Sequence, residues 1–118
     1  MTTTTTTTTW VTRYYAAWDR ADVDQITEWF TDDVVLEDVP TGHIATGSEQ
    51  ARAFVEHAIA MTPGTTYEVV NSMVTTDAFA TEWIMQPAGL RGSSIGTIRD
   101  GKIATNRDYW NAASSNVT

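Results

Sequence analysis

The sequence predicts an α+β fold. About three N-terminal helices should cover one face of a strongly curved, mostly antiparallel sheet, forming a cone-shaped barrel with an internal apolar pocket. Three observations predict it. Apolar residues recur at helical spacing from Trp10 to the Pro63-Gly64 stop. Beyond Gly64 the apolar period changes from about 3.6 to about 2. Turn signals at Asp77, at Pro87-Ala88-Gly89 and at Asp100-Gly101 then divide the second stretch into successive strands.

Each element follows from its own pattern. Thr2 to Thr9 form an unbroken threonine run, β-branched and without apolar periodicity, which reads as a tail. From Trp10, the spacing of Trp10, Tyr14 and Trp18 with Val11 and Tyr15 gives an aromatic helix face to about Arg20. Asp22 followed by Gln25 is a capping pattern for a second helix carrying Val23, Ile26, Trp29 and Phe30. Val34 to Val39 is a short β-branched run closed by Pro40, hence a strand, and the residues through Gly47 read as a loop. Ser48 can cap a third helix with Ala51, Phe54, Val55, Ala58 and Ile59 on one stripe. The strands after it are 66–75, 78–86, 93–99 and 103–110.

Composition narrows the function. The chain has 118 residues, 42% hydrophobic and 19% charged, which suits one domain with a core of its own. It has no cysteine, so a disulfide scaffold, a zinc ribbon and a thiol nucleophile are excluded together. Seven basic residues against fifteen acidic ones give a net charge of −8, a surface that repels phosphates, so no nucleic-acid partner is expected. No apolar run approaches the roughly 20 residues that span a bilayer, and no membrane partner is expected either. The first residues hold neither a basic segment nor an apolar core, and the expected location is cytoplasmic. The expected organisation is a threonine tail over 1–9, one domain over 10–113 and a C-terminal tail over 114–118. Asn116-Val117-Thr118 matches a glycosylation sequon by chance.

Several stretches, taken in order, resemble a known superfamily: Arg13-Tyr14-Tyr15-Ala16-Ala17, Trp29-Phe30-Thr31-Asp32-Asp33-Val34, Leu36-Glu37-Asp38-Val39-Pro40, Gly47-Ser48-Glu49, Arg99-Asp100-Gly101-Lys102-Ile103 and Asn106-Arg107-Asp108-Tyr109-Trp110-Asn111. Their order and spacing over about 10–112 resemble the nuclear transport factor 2-like superfamily. The branch is the SnoaL-like one, with its polyketide cyclases, ketosteroid isomerases and limonene-type epoxide hydrolases. One fold hosts many functions, so the site must be argued from its residues.

Asp38 shares a strand face with Val34 and Leu36, which puts a carboxylate on an apolar row. It is either a strand-end group turned into the next loop or a general base whose pKa is raised by desolvation. The resemblance implies the second, since Asp38 stands at the proton-shuttling carboxylate of the isomerases. Asp108 lies on the face of Ala104, Asn106 and Trp110. It is either the ion-pair partner of Arg99 or Arg107 or, as the resemblance to cyclases and hydrolases implies, an acid/base group. Tyr14 is either a core aromatic or the phenol that donates to a developing oxyanion, the role that the isomerases give this position. The second acid of the isomerases' oxyanion hole falls at Ser94, a weaker donor. The hydrolases' Arg-x-Asp pair falls at Trp83 and Met85, so epoxide opening is the runner-up.

Two carboxylates in one apolar cone titrate apart, one neutral as acid and one ionised as base, and this chemistry needs no cofactor or metal. Trp10, Trp18, Phe30, Phe54 and Trp83 are the candidate apolar lining. Ser94, Asn106, Trp110 and His43 at the pocket mouth complete the ligand contacts, while His57 reads as a solvent-edge residue. The glycines at 89, 92 and 96 do not open a helix and give no phosphate site. The expected partners are a small hydrophobic molecule and a second copy of the chain. The strands at 67–74 and 79–85 carry apolar residues on both faces, with Val69 and Met73 on one and Val70 and Val74 on the other. A homodimer would cover the outer face.

Overall fold

The computed structural model describes residues 2–111, with side chains described from Trp10 onward; the C-terminal tail and its sequon lie outside the described residues. The first helix, α1, spans Thr2–Asp19 and so begins at Thr2 rather than at Trp10. Apolar spacing could not mark that start, because a run of identical residues has no face. Val11, Tyr14, Tyr15 and Ala17 of α1 are buried. Just past the end of the helix, Ala21 lies in the left-handed region with φ 54°. There the Ala21 N–H donates to the Trp18 carbonyl (2.9 Å) and the Asp22 N–H to the Ala17 carbonyl (3.0 Å), the paired bonds of a Schellman ending.

Asp22 caps α2 (Val23–Thr27) as its spacing predicts, its carboxylate accepting the Gln25 N–H at 3.1 Å. Trp29 and Phe30 do not belong to that helix. The Trp29 carbonyl accepts the Ile103 N–H at 2.7 Å, and Phe30 opens β1 (Phe30–Asp38) beside Ile103. Long-range strand pairing overrides the local helical spacing here. The stretch read as a loop contains β2 (His43–Thr46), antiparallel to β1. Four residues are too few to show a period. In helix α3 (Gly47–Met61) the N-cap position is Thr46 rather than Ser48, and the Thr46 side chain makes no capping hydrogen bond. The Ser48 hydroxyl instead donates to the Asp32 carbonyl (3.3 Å), and Gln50 accepts the Thr46 N–H (2.9 Å).

The meander follows as β3 (Thr66–Val74), β4 (Ala78–Gln86), β5 (Leu90–Arg99) and β6 (Lys102–Trp110). The six strands form one curved sheet in the order β2-β1-β6-β5-β4-β3, antiparallel except for β1 beside β6. It does not close into a barrel, because β2 and β3 remain separate edges. The helices cover its concave face instead, as the bond between Tyr15 of α1 and Thr81 of β4 shows. A bulge at Val70 changes the expected faces of β3. Val69 pairs with Trp83 and Val74 with Phe79 on the helix-covered face, while Val70 and Met73 are exposed on the other.

Candidate active site

Strand register brings six polar residues into one row across the sheet. His43 of β2 pairs with Asp38, Asp38 with Asp108, Asp108 with Ser94, Ser94 with Thr81, and Thr81 with Ser72. Residues that face each other in register project to the same side. The side is the helix-covered one, since Leu36, Asn106, Phe79 and Trp83 on it are buried. Neighbouring strands lie about 4.8 Å apart, so Asp38 and Asp108 are adjacent carboxylates on one face.

Neither carboxylate meets an arginine. Arg99 pairs with Asp33 at 2.5 Å and Arg107 with Glu37 at 3.6 Å, both at the surface. The ion-pair alternative for Asp108 therefore falls away. Asp108 is held by neutral donors: the Ser94 hydroxyl at 2.7 Å and the Asn106 amide at 2.8 Å. Both reach the same oxygen, Oδ1, and Oδ2 accepts no hydrogen bond from any described residue. Asp38 accepts the Trp110 indole N–H on Oδ1 (2.5 Å) and the Thr41 hydroxyl on Oδ2 (2.6 Å).

Burial pushes the Asp108 carboxyl up to about 6, against the two hydrogen bonds, and the charge of Asp38 adds to the rise. Three phenols feel its charge. Burial holds Tyr14 well above its ordinary value; the neighbouring Tyr15 and the Asp108 charge push the same way, and a hydrogen bond with Trp18 opposes them. Tyr15 and Tyr67 are raised as well, first by burial and also by the Asp108 charge. All three therefore remain protonated near neutral pH and serve as donors rather than bases.

The remaining sequence-predicted residues divide. Trp83 lies above Gly92, where a Cβ would come within 2.4 Å of the indole ring, and its N–H donates to Ser94 at 3.0 Å. The Ser94 hydroxyl donates to Asp108. Trp110 and Asn106 likewise hold the carboxylates. Phe54 stacks on His43 at 5.3 Å and flanks the β2 end of the row. Trp18 packs on Tyr67 at 5.8 Å.

Trp10 and Phe30 are not brought to the row. Phe30 sits beside Ile103, five residues before Asp108 on β6, and Trp10 packs on Trp29 and Phe79. His57 is exposed on α3. Sequence reasoning missed Thr41, Tyr15 and Tyr67. Thr41, three residues after Asp38 in a Pro-Thr-Gly turn, was the one with a readable signal.

Two open grooves, of about 560 Å³ and about 480 Å³, lie away from the carboxylates. The first is on the outer sheet face around Met73, Ala80, Ile95 and Tyr109. The second runs between α1 and β3 along Val11, Tyr15, Tyr67 and Val69. Neither has Asp38 or Asp108 in its lining, so neither is the internal pocket expected from the sequence. Among the described residues no group of three or more His, Cys, Asp or Glu could hold a metal ion.

Comparison with known proteins agrees with this architecture. The sequence profile of the SnoaL-like domain matches residues 11–106. A SnoaL-like protein of unknown function from Burkholderia thailandensis superposes with a TM-score of 0.78 at 17% identity, over 88% of this chain and 93% of that one. A hypothetical protein with a ketosteroid isomerase-like fold from Catenulispora acidiphila, solved with trimethylamine, gives 0.76 at 20% identity, over 88% and 86%. A proposed polyketide cyclase from Sinorhizobium meliloti gives 0.72 at 24% identity, over 83% and 91%. At these identities the likeness is one of fold. No curated protein matches the chain in sequence.

Proposed function

From the premise that the chain belongs to the SnoaL-like domain family, we propose that it is a cofactor-independent acid/base enzyme. Its reaction is of the isomerase, cyclase or dehydratase type, on a small hydrophobic carbonyl compound such as a polyketide or steroid-like ligand. One observation carries the reading. Asp38 and Asp108 stand in register on one covered face, and burial pushes Asp108 up to about 6, where a carboxyl can both hold and release a proton. Two adjacent carboxyls, one of them tuned in this way, are a pairing that can move a proton off carbon while supplying another to oxygen.

In this reading Asp38 takes the proton next to the carbonyl. Asp108 delivers its own from Oδ2, the oxygen that accepts no hydrogen bond from the described residues. Tyr14, protonated and buried near Asp108, is the donor available to the developing enolate oxygen. The limonene-type hydrolase alternative has less support. No arginine of the described residues reaches Asp108, and Trp83 is committed to Ser94. A non-catalytic binding module is the second reading, favoured by the two grooves lying outside the carboxylate pair.

The experiment is deuterium exchange. The protein is incubated in D₂O with a panel of hydrophobic cyclic and β-dicarbonyl ketones, and label next to the carbonyl is followed by NMR. The acid/base reading predicts accelerated exchange of at least one ketone, lost in Asp38→Asn and in Asp108→Asn. Ligand-induced shifts with no exchange anywhere would favour the binding module.

A further inference from the structure

The donors around Asp108 are not equivalent in origin. Asn106 shares its strand. Ser94 reaches it from β5 and is itself held from β4, because the Trp83 indole N–H donates to the same hydroxyl oxygen that donates onward to Asp108. The hydroxyl has a freely rotating proton, and a donor arriving at its oxygen leaves that proton to point at the carboxylate. The Trp83 ring can lie there only because β5 has glycine at position 92. A Cβ at that point would stand 2.4 Å and 2.6 Å from two ring carbons and 2.7 Å from the Tyr109 carbonyl oxygen. Tyr67 meets the same ring edge-on at 5.2 Å and fixes it from the β3 side. The packing of an aromatic over a glycine is thereby converted into the orientation of one carboxyl oxygen.

We propose that Trp83 and Ser94 are positioning residues: the indole N–H orients the Ser94 hydroxyl, which together with Asn106 pins Oδ1 of Asp108 and leaves Oδ2 as the oxygen that exchanges the proton. This deepens the acid/base reading above and rests on it for its consequence in catalysis, but the geometry can be tested without a substrate. The relay also sets how readily Asp108 gives up its proton, since a hydrogen bond to the ionised carboxylate favours that form. The ionisable groups turned toward Asp108 are Asp38 from β1, Tyr14 and Tyr15 from α1 and Tyr67 from β3, with His43 one strand beyond Asp38. The phenols stay neutral through the range concerned, which leaves Asp38 and the two hydrogen bonds as the local influences on its midpoint.

The experiment follows the side-chain carboxyl carbon of Asp108 by ¹³C NMR between pH 3 and pH 9. It uses the wild type, Ser94→Ala, Ser94→Thr, Trp83→Phe and the outward-facing control Ser93→Ala. Asp108→Asn assigns the resonance. Ser94→Ala removes the hydroxyl and should raise the midpoint by about one unit. Trp83→Phe deletes the N–H together with the outer ring atoms over Gly92, and in folded protein should raise the midpoint by a smaller amount in the same direction. Ser94→Thr keeps the hydroxyl and should restore the wild-type midpoint, as should Ser93→Ala. Circular dichroism on each variant separates a shift in midpoint from a loss of fold. An unchanged midpoint in folded Ser94→Ala and Trp83→Phe overturns the relay while leaving the acid/base reading standing. Unchanged ketone exchange in Asp108→Asn overturns the acid/base reading whatever the midpoints do.

Discussion

At Asp108, burial and hydrogen bonding pull in opposite directions, and burial wins by enough to move the carboxyl to about 6. The unfolded chain would release that proton near pH 4. Between the two values the folded state binds more protons than the unfolded one, so this group makes stability fall as pH rises from about 4 to about 6. The difference is about 1–3 kcal/mol, reduced from the full shift because part of the side chain stays in contact with solvent. Asp33 acts the other way. Its hydrogen bond to Arg99 holds it below the ordinary carboxylate value, so its contribution is lost as pH falls. Comparing wild type with Asp108→Asn isolates the first effect. Urea unfolding at pH 4.5 and pH 7.5 should show the variant gaining on the wild type at the higher pH. An equal difference at both values would mean that Asp108 is not buried with a raised pKa.

Both carboxylates were legible in the sequence because a charge on an alternating apolar face is an exception to the pattern that makes a strand. The groups that hold them were not. Trp110 reads as lining and Thr41 as part of a turn, and nothing local tells an indole 72 residues away to donate to Asp38. Ser94 stands out by its position, but its bond to Asp108 does not follow from position alone. Its hydroxyl had to be assigned from an inter-strand register that no single strand encodes.

The elements with a clear period kept their places: 78–86 is β4 as expected, and Asp100-Gly101 turns β5 into β6. Where the pattern is short or uniform, the outcome came from tertiary pairing. β2 has four residues, too few for a period to show. Phe30 fits a helix face but pairs with Ile103. The bulge at Val70 adds one residue and flips the side chains beyond it, so the expected pairing of Val69 with Met73 on one face could not hold.

The end of α1 offers a prediction at this scale. Ala21 sits at φ 54°, a conformation that costs an L side chain roughly 1 kcal/mol and glycine nearly nothing. Ala21→Gly should raise stability by about 0.5–1 kcal/mol, read as a higher melting temperature. A lower one would show that the Schellman ending does not govern this junction. Gly96 is the opposite case. A Cβ there would lie 2.0 Å from the Thr105 carbonyl oxygen and 2.7 Å from the Phe79 ring. Gly96→Ala should destabilise by about 1–3 kcal/mol, since a backbone atom cannot step aside as a flexible side chain can.

Across the whole molecule, the outer face of the sheet carries its own row in register. Ile44, Glu37, Arg107, Ile95, Ala80 and Met73 follow one another from β2 to β3. Ile44 is 54% exposed, Ile95 50% and Met73 71%, an apolar strip interrupted by one ion pair and adjoining the groove of about 560 Å³. Such a strip suits a two-fold contact with a second copy, in which each patch meets its own kind. We expect a dimer by light scattering at tens of micromolar, and a monomer for Ile95→Asp combined with Met73→Glu. A monomeric wild type at that concentration would leave the strip without this explanation.

The most direct measurement of the paired-carboxylate site is the pH dependence of ketone exchange in wild type and Asp108→Asn. If neutral Asp108 supplies the proton, the wild-type rate falls as pH rises through about 6. The variant should then be slower by about 10²–10⁴-fold at the optimum, with no break in that range. Equal rates for the two proteins, or a wild-type rate flat from pH 5 to pH 8, would contradict a catalytic Asp108.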